Sequence, residues 1–253
     1  MQPNLERLKN GVVLAELGGY GDGPYCATHG AGAALVMMGT YIVDDGEHVP
    51  YDPRFVFKPG WNNYIGYLRE NITAARRSGA QVGVSVCANK LSDNVDFLQA
   101  AQTAGADYAS YCAHSTMDMF LRANTSSALC RRENWLELRR WAKTMLEAVE
   151  IPVIFKVGCG DTPDAVEAVR VLTEAGVPVV HVNVEETEAG SEGLGVLEKL
   201  RGSTPFLIVG GGIKDSDGAR RVLAAGADAV AFGTAAMKDP DLCGRIQRIL
   251  RCS

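Results

Sequence analysis

Four segments of this chain share one local pattern. "RSGAQVGV", "TAGADYAS", "EAGVPVVH" and "AAGADAVA" each put a glycine (Gly79, Gly105, Gly176, Gly226) between an amphipathic stretch and a short apolar run. A glycine there is the expected left-handed stop of a helix, so each segment reads as helix, stop, strand. Followed along the whole chain, the alternation gives eight candidate strands: residues 12–17, 34–39, 81–86, 107–112, 151–156, 178–183, 205–210 and 228–232. They are short, and several are rich in Val and Ile, as strands buried on both faces of a parallel sheet should be. Between them, Trp61, Ile65, Leu68 and Ile72 keep a helical period, and Val95, Leu98 and Ala101 keep it more weakly. "DTPDAVEAV" opens a further helix with Thr162 as N-cap and Pro163 at its first position. Eight β/α units in 253 residues predict an α/β fold, a single (β/α)8 TIM barrel, with a doubly wound open sheet as the weaker alternative. No linker rich in Pro, Ser or charge interrupts the alternation, so residues 1–253 are expected to form one barrel domain.

Composition narrows the classes of function. With 47% hydrophobic residues the chain can fill a large core. No apolar run reaches membrane-spanning length and the amino terminus lacks a signal-peptide pattern, so a soluble, cytoplasmic protein with no membrane partner is expected. Seven cysteines (26, 87, 112, 130, 159, 243, 252) are odd in number and form no CxxC pair, which indicates neither a zinc cage nor a disulfide framework. A net charge of −5 argues against a broad nucleic-acid footprint, since phosphate backbones are held by clustered Lys and Arg. The one dense basic stretch, 130–143, reads first as the solvated face of a helix.

In such a barrel the functional face lies at the carboxyl ends of the strands. There this sequence is polar and glycine-rich: "AELGGYGDG", "VCANK", "YCAHS", Lys156, "HVNVEE", "GGGIKDSD" and "FGTAAM". Gly210-Gly211-Gly212 after the seventh candidate strand, and Gly233-Thr234 after the eighth, occupy the place where many barrels bind phosphate. Bare backbone N–H groups there can bind an anion, and missing side chains let it come close. Thr40 to Gly60 forms the one long insertion and reads as a lid, as a contact in a homo-oligomer, or as a passive surface excursion. Its Asp44, Asp45 and Glu47 lack regular ligand spacing, so no metal site is expected.

"PVIFK", "VVHVN", "PFLIVGGGIKDSDGARRVLAAGADAVAFGTAAM" and "LAELGGYGDGPYC" resemble the FMN-contacting segments of dihydrouridine synthases and dihydroorotate dehydrogenases. The resemblance is nearest to the short archaeal proteins related to dihydrouridine synthases, which keep the barrel alone. It spans roughly residues 11–240, and only the final two-strand segment is highly specific. It implies FMN as cofactor. The backbone around Ala15, Glu16 and Leu17 would line the isoalloxazine, Asn89 would bond its pyrimidine edge, Lys156 would sit by N1 and C2=O, and His181 and Asn183 would lie near and just beyond the ring. Gly211, Gly212, Gly233 and Thr234 would hold the ribityl phosphate. A cation beside N1 and O2 is also what physics asks for, because it stabilises the negative charge of reduced flavin.

The same resemblance places a proton-transferring residue on the loop "CAHSTMDMFLRANTSSALCRR". The position usually held by cysteine falls on Ser115, with Cys112 and His114 beside it. Cysteine has the more suitable pKa for acid catalysis, and serine needs a base or a water chain. The tRNA-acting members carry a helical RNA-binding domain after the barrel, for which this sequence has no counterpart. A small molecule, a heterocycle among the candidates, is therefore the expected substrate, with nucleic acid expected only if another protein supplies the grip. Two other readings stay open. Lys156 could form a Schiff base in an aldolase or synthase acting on a phosphorylated substrate, or the barrel could bind flavin or phosphate without catalysis.

Overall fold

A computed structural model describes residues 5–46, 49–158, 164–184, 192–200 and 202–251. Nine strands are present among them: β1 (Gly11–Leu14), β2 (Leu35–Val43), β3 (Val56–Phe57), β4 (Gln81–Ala88), β5 (Tyr108–Ala113), β6 (Val153–Gly158), β7 (Val179–Asn183), β8 (Leu207–Gly210) and β9 (Ala229–Phe232). All pairings are parallel, and β1 pairs with both β2 and β9, so eight of the strands close into a barrel and β3 lies outside β2. The fold is the (β/α)8 barrel expected from the alternation, and closure removes the open-sheet alternative. All eight candidate strands correspond to barrel strands; only the two-residue β3 was not anticipated.

Period-two alternation builds two separate cores. Val13, Leu35, Met37, Tyr108, Ile154, Val179, Phe206, Ile208 and Ala229 fill the lumen. Val12, Leu14, Val36, Phe155, Val180 and Val209 face the surrounding helices. Gly83 leaves room for a lumen side chain, since a Cβ there would lie 2.4 Å from the Met37 sulfur. Each of the four repeat glycines has positive φ, 79° at Gly79, 96° at Gly105, 95° at Gly176 and 116° at Gly226, the conformation the helix stop requires.

The helix after β6 runs Ala165–Glu174, with Asp164 at its N-cap; the expected cap Thr162 and Pro163 lie outside the described residues. The basic stretch continues into the helix Trp135–Ala148, whose Arg139 and Arg140 form exposed ion pairs with Glu174 and Glu137. This is the solvated helix face expected from the sequence. The five described cysteines are buried, while Cys159 and Cys252 lie outside the described residues. Among the described residues, no helix is long and apolar enough to cross a membrane.

The insertion after β2 is anchored. Phe55 is fully buried and stacks on Tyr41 with ring centroids 5.2 Å apart. Val56 and Phe57 pair with Ile42 and Val43. These contacts bring Tyr51 back over the barrel mouth, where its hydroxyl donates to the Thr40 carbonyl at 3.1 Å. The phenol fills the space beside Gly18, where a Cβ would stand 1.7 Å from the tyrosine oxygen.

Candidate active site

Alternation carries past the lumen core to the carboxyl ends of the strands. Two residues above Ile154 is Lys156, and two above Val179 is His181. The register aligns Cys112 with Lys156 and Lys156 with His181, so the three form one level of the lumen. Above that level opens a cavity of about 470 Å³. Its lining includes Ala15, Glu16, Leu17, Cys112, His114, Ser115, Lys156, Asn183, Gly211, Gly212, Gly233 and Thr234, most of the residues singled out in the sequence.

At the floor, Glu16 Oε2 lies 3.4 Å from Lys156 Nζ and 3.8 Å from His181 Nδ1. All three side chains are buried: Glu16 is 5% exposed, Lys156 7% and His181 2%. Burial alone would raise the Glu16 carboxyl, but the neighbouring Lys156 ammonium leads the opposing causes, and the carboxyl is held below its ordinary value. Burial first, and then Lys156, push His181 down to about 3, so its imidazole is neutral at physiological pH. Among the described residues, neither Glu16 carboxylate oxygen makes a hydrogen bond beyond its ion pairs, which marks the floor as built to receive polar groups. The sequence reading gave Glu16 only a backbone role; its side chain is the counter-ion of Lys156.

His181 is not part of the cavity wall. It lies under the floor, with Nε2 3.0 Å from where a Cβ on Gly210 would be. Asn89 is also away from the cavity lining. β4 ends at Ala88, and the Asn89 side-chain oxygen Oδ1 accepts from Thr125 Oγ1 at 2.9 Å, tying two loops together.

The loop bearing Ser115 is held by its serines. Ser126 Oγ donates to the Cys112 carbonyl at 2.7 Å and accepts from Ser115 N–H at 2.9 Å, and Ser127 Oγ donates to the Ser115 carbonyl at 2.8 Å. Ser115 Oγ accepts from Met117 N–H at 3.4 Å. His114 packs on Gly158, where a Cβ would be 2.5 Å from its ring, and its Nε2 lies 3.3 Å from Asn183 Nδ2. Burial raises the Cys112 thiol, with Lys156 opposing and Glu16 adding to the rise, so the thiol is protonated.

The glycines divide by purpose. At Gly211 φ is 101° and a Cβ would fall 1.7 Å from the Val184 carbonyl oxygen; the fold itself requires glycine there. At Gly233 the nearest atom to a Cβ is Leu17 Cδ2 at 3.5 Å, an ordinary contact, and φ is −107°. Its bareness leaves backbone facing the cavity. Tyr51, Thr40, Ile42, Cys87, Met117 and Phe120 also line the cavity; the sequence reading assigned them no role.

The fold and this cavity define a (β/α)8-barrel protein with its site at the carboxyl ends of the strands. The family model for "Histidine biosynthesis protein" matches residues 160–251. Geranylgeranylglyceryl phosphate synthase of Methanopyrus kandleri is 43% identical over 56 residues, 22% of this chain and 23% of that protein. The enzyme of the same name from Ignicoccus hospitalis is 46% identical over 57 residues, again 22% and 23%. These alignments thus span about a quarter of the curated relatives. Among solved structures, DHODH in complex with ferulenol from Eimeria tenella is similar over 100% of this chain and 86% of its own, with TM-score 0.67 and 16% identity. TcOYE with pHBA is similar over 94% and 89%, with TM-score 0.71 and 14% identity. At these identities the likeness concerns the fold.

Proposed function

We propose that this protein is an FMN-dependent oxidoreductase acting on a C=C or C–C bond of a small substrate, a heterocycle among the candidates. The observation that carries the reading is the buried Glu16–Lys156 pair at the cavity floor. It sets a carboxylate counter-ion against Lys156, an arrangement that suits a lysine beside the N1–C2=O edge of a flavin. The residues fit the cofactor in other respects. Glu16 oxygens that make no hydrogen bond among the described residues lie at the floor, and Gly212, Gly233 and Thr234 line the side where backbone N–H groups would hold the phosphate. When bound, FMN would supply hydride transfer. The chain's part would be to orient the substrate through His114 and Asn183 and to hold or move a proton at Ser115 Oγ, with Tyr51 shielding the mouth from water.

A second reading is a synthase acting on a phosphate ester. It is favoured by the match of residues 160–251 to the histidine-biosynthesis family and by two relatives named for a phosphate product. Both readings place a phosphate at the glycine turns. The visible absorption spectrum of the purified protein, and of the protein reconstituted with FMN, separates them. Bound-flavin peaks that weaken or shift in Lys156→Met are expected. No flavin after reconstitution, with glycerol phosphate binding measured by calorimetry, would replace the first reading with the second.

A further inference from the structure

The cavity has two unlike walls. One, from β1 and β6 to β9, carries Glu16, Lys156, Asn183 and the glycine turns. The other, from β2, β4, β5 and the loop after β5, is largely apolar; its polar lining groups are Thr40, whose hydroxyl is hydrogen-bonded with Ser85, and Ser115 at the rim. Ile42 (1% exposed), Cys87 (1%), Cys112 (6%) and Phe120 (0%) form a cluster of their own, distinct from the lumen and helix-facing cores, with Tyr51 and Met117 packed against it. Lys156 is the sole Lys or Arg among the described lining residues, and Glu16 is its counter-ion. Burial pushes the Cys87 thiol well up, and likewise raises Cys112 and the Tyr51 phenol, so the apolar wall is uncharged. His114 and Asn183, at the junction of the walls, are engaged with each other.

A carboxylate placed against this wall would lose its hydration without meeting an uncommitted lysine or arginine. A ring would meet three sulfur atoms and a phenyl group, soft and polarizable partners for a π face. Resting on the flavin reading above, we propose that the Ile42–Cys87–Cys112–Met117–Phe120 wall selects an uncharged ring compound with polar groups on one edge, and excludes substrates that carry a carboxylate on the ring.

Fluorine NMR binding curves for 4-fluorobenzamide and 4-fluorobenzoate, recorded with and without FMN, test this. In wild type the amide is expected to bind at least about tenfold more tightly than the benzoate. Met117, half-buried at the edge of the wall, is the place to change it. Met117→Gln should weaken the amide by about 3- to 10-fold, and Met117→Lys should reverse the preference, with thermal unfolding confirming that each variant is folded. Benzoate binding as tightly as the amide in wild type, or amide affinity unchanged in a folded Met117→Gln, would overturn the inference. Failure of the flavin reading is seen separately, as no FMN spectrum, while the preference of the cofactor-free protein still decides whether the wall selects by charge.

Discussion

The lower and upper parts of the lumen are built on the same inward-facing positions of the same strands, yet they hold opposite chemistry. Ile154 and Val179 sit low among apolar side chains; two residues further on, Lys156 and His181 sit beside Glu16. The lower level is a packed plug whose side chains stabilise the barrel through removal of apolar area from water. The upper level spends some of that stability to keep charge in a desolvated place, where it acts strongly on whatever enters. In a (β/α)8 barrel this vertical division lets one end hold the fold while the other holds chemistry.

Removing one partner of the upper pair should have the largest effect. Lys156→Ala leaves Glu16 buried without its counter-ion and should cost about 3–5 kcal/mol in urea unfolding. The double variant Lys156→Met with Glu16→Gln should recover much of this without restoring cofactor binding. If the single and double variants lose the same amount, the pair is not the source of the cost.

Next come the two glycine turns. Gly211→Ala must strain a backbone with φ of 101° against the Val184 carbonyl, a loss of about 1–3 kcal/mol from the conformation alone. Gly233→Ala should leave the melting temperature nearly unchanged and instead weaken binding of FMN relative to riboflavin, which lacks the phosphate. Equal stability losses at the two positions would remove the distinction between fold-making and ligand-facing glycine.

Acid should act on the upper level. His181 titrates at about 3 in the folded protein against an ordinary 6.5, so the unfolded chain takes up its proton first as the pH falls. Its contribution to stability is therefore full above 6.5 and declines between 6.5 and about 3. Glu16, with its carboxyl held below 4.5, contributes fully above that value and less below it, so both groups make acid destabilising. Denaturant midpoints measured between pH 7 and 4 should slope less in His181→Gln. A slope unchanged by that variant would show that His181 is not held neutral. The smallest effect belongs to the lower level, where Ile154→Val should cost about 0.5–1.5 kcal/mol and leave ligand binding as it was.

How much of this the sequence revealed follows the reach of strand periodicity. Where a residue lies within a strand, alternation fixes its direction once the register is known: Lys156 was legible as standing at the carboxyl end of a barrel strand, while its sharing one lumen level with His181 follows from the strand register. Beyond a strand end that rule lapses. Glu16 lies past the end of β1 at Leu14 and Asn89 past the end of β4 at Ala88, and nothing local says that one turns inward to Lys156 while the other turns aside to Thr125. Tyr51 reaches the cavity through an aromatic anchorage of the insertion, made by Tyr41 and Phe55, which becomes visible only in three dimensions. The glycine triplet was legible as a turn. That Gly211 avoids the Val184 carbonyl was not, because Val184 is contributed by the neighbouring strand's end.

The closure of β1 onto β9 also bears on how the chain is made. β1 hydrogen-bonds to a strand more than two hundred residues later, and the Gln247 side chain accepts from Val12 N–H across 235 residues. During synthesis, one edge of β1 therefore stays exposed until β9 has left the ribosome. An incomplete barrel offers two open edges to other nascent chains, so a chain interrupted before β9 should aggregate rather than form a smaller working domain.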